Sequence, residues 1–226
     1  MALQVWPIPV AGFFDLLGIQ SATFGLPEDF SPSTTAGGGV IVHRRGARLW
    51  QGEVELGRSE HADIAAQTAL IEHLLEPGAS FMIHDRRMPA PQDPALPGQV
   101  DWGAQDVTIA SLPAGARELS LAGLPAGFTL RRGQMIGWSY LSEPVRHAVH
   151  RIVSASVTAS AGGITPAFEV TPFIRPGVVT GTPVILDSPP LKAKLIKWEP
   201  GRGLSKVTQG GRFSWMQTLR GRADEL

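Results

Sequence analysis

Cysteine is absent from the chain, which excludes a disulfide framework, Cys-ligated zinc and a thiol nucleophile. Charge of one sign is also lacking: Lys plus Arg number 20 and Asp plus Glu number 20. A dedicated nucleic-acid binder carries an excess of basic side chains to neutralise phosphates, so that class is disfavoured. No apolar run approaches the ~18 residues of a membrane span. The N-terminus shows no basic region ahead of a long apolar core, so a signal peptide is not expected. Charged residues make up only 18%, less than in an average soluble domain. With a pI near 7 the monomer has little colloidal repulsion, which a subunit living inside an assembly needs less.

What is present is punctuation. The 26 glycines and 19 prolines are spread between apolar runs, the distribution that many short strands joined by turns produce. Pro7 and Pro9 exclude a long helix at the start. Residues 26–39 are rich in Pro, Ser, Thr and Gly and read as an extended loop or arm. Residues 39–43 read as a short strand and 48–56 as a better one, with Arg44-Arg45-Gly46 as a hairpin turn between them. In the second, Leu49, Gln51, Glu53 and Glu55 alternate with Trp50, Gly52, Val54 and Leu56. One helix is expected over 60–76, capped by Ser59, with acidic Glu60 and Asp63 in its first turn and Pro77-Gly78 as its stop. Ile64, Ile71 and Leu75, widened by Ala66, Leu70 and Leu74, form its apolar stripe, so it should lie against a sheet. Residues 79–85 read as a strand.

Residues 88–98, with four prolines at 89, 91, 94 and 97, suit a stiff linker. Beyond them come strand candidates at 105–109, 118–121, 134–138, 147–156, 167–171 and 183–186, a spacing that suits a small barrel or sandwich. Pro189-Pro190 marks a second break, followed by strands at 192–199 and 211–219. The expected fold is therefore mainly β and discontinuous. Residues 1–90 and 190–226 form one β-sandwich domain with a flanking helix, and 100–188 form an inserted small β-barrel. The first part alone would leave its sheet short and its core open, which the C-terminal strands would remedy.

No catalytic pattern appears. There is no P-loop, no glycine-flanked nucleophilic serine and no helical histidine pair with an intervening glutamate. Gly37-Gly38-Gly39 precedes a strand and so does not cradle a phosphate at a helix start. His147 and His150 are the best metal candidates, but they lie three apart on a strand, where side chains diverge, with no Asp, Glu or Cys close by. His84, Asp85, Arg86 and Arg87 read as a charged turn, and Glu72-His73 as solvent-facing. Glu118 and Glu143 show no second carboxylate, so glycoside hydrolysis gains no support. No catalytic, cofactor-binding or metal residue is assigned, and no enzyme activity is expected. The six tryptophans fall in or beside strands and are read as core packing, with subunit interfaces as the alternative.

Three stretches, in order, carry a resemblance. They are Leu49–Leu56 with the helix after it and Gly78–Asp85; Leu124–Ile136, where Gln134 replaces a more usual aspartate; and Pro172–Pro176 with Pro183–Leu186. Together they resemble the distal tail, or tail-tip, proteins of long-tailed bacteriophages and related gene-transfer particles. The resemblance implies a tail-tube-like β-sandwich carrying an outward barrel. It implies a homo-oligomeric, hexameric ring joining the tail-tube protein to the baseplate hub protein in the virion tail, assembled in the host cytoplasm. The barrel would brace tail fibres or receptor-binding proteins, with no membrane or nucleic-acid contact. In that ring residues 26–45 and 48–56 would meet the neighbour. The competing readings are a tube or tail-completion protein, a carbohydrate-binding baseplate module, and a small hydrolase with an unmarked site.

Overall fold

The computed structural model describes residues 6–28, 30–44, 46–88, 90–96, 100–203 and 206–220. The chain is mainly β. Its strands are β1 (Ile19–Ala22), β2 (Phe30–Thr34), β3 (Val40–Arg44), β4 (Gln51–Leu56) and β5 (Ser59–Glu60), followed by helix α1 (His61–His73). Then come β6 (Phe81–Ile83), β7 (Thr108–Ser111), β8 (Glu118–Ala122), β9 (Thr129–Arg131), β10 (Met135–Tyr140), β11 (Arg146–Ile152), β12 (Ser156–Thr158) and β13 (Phe168–Thr171). The chain ends with β14 (Leu191–Glu199), β15 (Val207–Thr208) and β16 (Arg212–Gln217).

One five-stranded sheet has the order β1-β4-β16-β14-β6, with every pairing antiparallel. The two C-terminal strands thus fill its middle, between two strands from the first third of the chain. Alternation explains its inner face. Trp50, Val54 and Leu56 are buried while Glu53 and Glu55 are exposed, and Phe213, Trp215 and Gln217 are buried while Arg212 and Met216 are exposed. Phe13 meets Phe81 edge-on with centroids 4.9 Å apart, and Phe24 lies 4.5 Å from Trp215. Burying each such ring contributes about 1.5–3 kcal/mol. Opposite Trp215 in the ladder stands Gly52. The Thr23 carbonyl occupies the place a Cβ would take there, so only glycine fits.

The second five-stranded sheet has the order β10-β11-β13-β8-β7. Its core holds Leu119, Leu121, Phe128, Leu130, Ile136, Trp138 and Phe168. The segment 181–185 straps its two edges together. It exchanges backbone hydrogen bonds with Ile109 and Val107 on one side and with Gly137 on the other. Both edges are thereby covered.

Two groups of contacts weld the sheets to each other. Trp50 Nε1 donates to the Val149 carbonyl at 2.7 Å, Gln217 Oε1 accepts from Trp50 N at 3.2 Å, and Gln217 Nε2 donates to the His147 carbonyl at 3.2 Å. Met135 and Val149, from the second sheet, pack into the first sheet's core.

Several expectations are corrected. The helix begins at His61 with Glu60 as its cap residue. Ser59 instead pairs with Thr208, its hydroxyl donating to Asp63 at 2.9 Å. Leu75 is 51% exposed, so the buried stripe is Ile64, Ile71 and Leu74. The expected loop at 26–39 contains a strand, and β3 pairs with β2, so Arg44-Arg45-Gly46 does not turn β3 onto β4. Residues 147–156 are two strands, β11 and β12. Residues 183–186 form bridges to β7 and β10 and no continuous ladder. Strands β1 and β9 were not foreseen. The described residues of the 88–98 stretch contain no helix or strand. Arg45, Pro89, Pro97 and Gly98 lie outside the described residues.

Candidate functional site

The feature that neither core accounts for is the hairpin β2–β3. Among the described residues it is hydrogen-bonded to no third strand. Its turn is built by the glycine run. Thr35 N donates to the Gly39 carbonyl at 2.8 Å, Gly38 N donates to the Thr35 carbonyl at 3.0 Å, and Gly38 sits at φ +80°. A residue with a Cβ is disfavoured at that dihedral. Cross-strand partners share a face, and the register pairs Thr34 with Val40 and Pro32 with Val42. One face of the ribbon is therefore Pro32, Thr34, Val40 and Val42. Val40, Ile41 and Val42 are 62%, 48% and 54% exposed. A two-stranded hairpin alone is marginally stable in water, and a contiguous exposed apolar run marks a contact surface.

Arg48 fixes the root of this ribbon. Its guanidinium donates to the Leu26 carbonyl at 2.7 Å and the Pro27 carbonyl at 3.1 Å, and Arg175 donates to the Arg48 carbonyl at 3.2 Å. Beside the root lies an open groove of about 680 Å³ over the outer face of β4, β16 and β14. Leu26, Pro27, Ile196 and Met216 line it, with Glu53 and Arg87 among its polar residues. On the other side of Arg48 a cleft of about 340 Å³ is lined by Arg48, Arg117, Glu169 and Phe173.

The residues considered for chemistry stay apart. His147 Nδ1 meets Ser139 Oγ at 3.0 Å, with burial and Lys192 holding its pKa down. His150 is buried, stacked on Trp138 with centroids 4.5 Å apart, and its Nδ1 lies 2.9 Å from the Pro172 carbonyl. Burial lowers its pKa to about 4, so the ring is neutral and Nδ1 carries the donated proton. No group of three or more His, Asp or Glu suited to a metal occurs among the described residues. Asp85 is buried and takes Arg87 at 2.8 Å on both oxygens, while Arg86 donates to the Phe14 carbonyl at 2.6 Å. That charged turn fastens β6 to the N-terminal segment. Of Glu72-His73, Glu72 is exposed, but His73 is half-buried with its ring 5.2 Å from Trp6.

Two placements escaped the sequence reading. The ladder sets Glu118 opposite Glu169, a carboxylate juxtaposition that linear spacing does not reveal. Only Glu169 lines the cleft, whereas a hydrolytic pair must converge in one pocket. Asp93, within the proline-rich stretch, is buried. It accepts from Ala95 N at 3.0 Å and Thr129 N at 2.8 Å, and these donors hold its carboxyl below the usual range. None of the six tryptophans is exposed, so none offers an open stacking platform. The chain matches no family model, and the search of curated proteins returned no significant match.

Proposed function

We propose that the protein is a structural ring subunit of a phage-type tail tip, joining a tail tube to a baseplate hub. In this reading the first sheet is the tail-tube-like body and the second is the outward barrel that supports fibres or receptor-binding parts. The observation that carries the reading is the unpartnered hairpin with its exposed Val40-Ile41-Val42 run. A heterologous contact repeated with closure makes a ring, and a projecting arm is a means of making such a contact. The order of the three tail-like stretches and the lack of a convergent polar pocket agree with it.

Light scattering behind size exclusion, with negative-stain imaging of the peak, tests the proposal. Closed rings near six subunits are the expected result. A monomer that stays monomeric at high concentration and when mixed with tube and hub proteins would refute it.

A further inference from the structure

We infer that the hairpin of one copy docks, through its Pro32–Val40–Val42 face, into the outer-sheet groove lined by Leu26, Pro27, Ile196 and Met216 of the next copy. The inference rests on the self-assembling reading above and deepens it by naming both halves of the contact.

The first support is that the hairpin cannot fill the groove of its own chain. Leu26 and Pro27, which lead into β2, are themselves a wall of that groove, and Arg48 pins their carbonyls. From Arg44 at the root to Val40 near the tip the strand runs about 14 Å, away from that anchor. Val40 is the most exposed residue of the run, at 62%. The second support is that the groove has an apolar floor with nothing on it. Ile196 is 57% and Met216 37% exposed, both on strands whose opposite residues are buried. Ile196 points outward because β14 carries a register irregularity between Leu195 and Lys197, so the exposed isoleucine is a product of the bulge. The third support is the chemistry of the two surfaces. The hairpin face carries Pro and Val with no charge, and the groove offers aliphatic and thioether side chains. Covering one with the other removes apolar area from water on both.

Ribbon and groove lie on the same side of each copy, root beside wall. Seating the arm in the next groove therefore makes two different surfaces meet, the heterologous arrangement that propagates around a ring. A second copy is the occupant favoured here because the apolar arm and the apolar groove are both left open on one chain.

The cysteine-free sequence makes the test clean. Val40→Cys and Ile196→Cys are prepared separately, mixed, and treated with a short bis-maleimide. Val179→Cys, 64% exposed and outside the groove, replaces Ile196→Cys as the control. The expected result is a cross-linked dimer carrying the 40–196 link, at a yield at least tenfold above the control. The double variant Val40→Cys/Ile196→Cys should give a ladder ending at the closed ring. Rings seen by negative stain without a 40–196 link, or with equal linking to residue 179, would overturn the docking while leaving the ring reading standing. Absence of any species above monomer would overturn both.

Discussion

At the scale of single residues, the structure separates groups that look functional from groups that hold the fold. His150 is the clearest case. A buried imidazole with one nitrogen bonded to a backbone carbonyl and its ring stacked on tryptophan is a packing unit, and its second nitrogen has no partner. Its pKa is depressed from 6.5 to about 4. The folded chain therefore binds fewer protons than the unfolded one between these values, and stability falls as pH falls through that window. The loss between pH 8 and pH 5 from this residue is about 2 kcal/mol. Urea unfolding of the wild type and of His150→Phe at both pH values measures it. The variant should lose less stability on acidification by about that amount. Identical pH dependence in the two proteins would show that His150 is not the proton-linked group.

Elements show which parts of the fold the sequence expresses and which it conceals. Strand β4 is plain, because Trp50, Val54 and Leu56 alternate with charged residues and one face is buried. The helix is plain in its body and wrong at its start, because Ser59 is taken by a strand pairing with Thr208, 149 positions away, which outweighs its capping propensity. The strand at 183–186 is misread because that segment bonds to two edges in turn, giving strand-like composition without a ladder. β2 is invisible for a different reason. Neither face of the hairpin is buried, so its Pro, Ser and Thr show no burial-driven alternation. The candidate site shared that obscurity: residues 26–45 were legible as a contact region, but the groove floor at Ile196 and Met216 depends on a bulge and on strands brought together across the chain. Since the hairpin contributes to neither core, replacing 31–43 with a short Gly-Ser linker should shift the melting temperature by less than about 2 °C, well under the change that 1 kcal/mol produces. The same variant should lose self-association. A large drop in melting temperature would instead make the hairpin part of the body.

For the whole molecule, the question is whether the two sheets, each with its own core, behave as one unit or two. Small interfaces between such bodies allow them to move and melt separately. Here the junction is buried and bonded. The Trp50 indole reaches across to Val149, Gln217 holds Trp50 on one side and His147 on the other, and Met135 and Val149 sit in the opposite core. Breaking it would expose Trp50 and strand two buried carbonyls, each costing about 1–3 kcal/mol when left unpaired. Neither sheet is then expected to open without the other. Calorimetry of the monomeric arm-replacement variant should show one transition with equal van't Hoff and calorimetric enthalpies. Trp50→Ala, which empties the junction, should split that transition or leave the barrel melting last, since the core of the first sheet loses its largest side chain while that of the second is untouched. Two transitions in the parent would mean that the barrel is hinged, and that an assembly built on the first sheet would carry it as a mobile appendage; one transition makes it a fixed bracket.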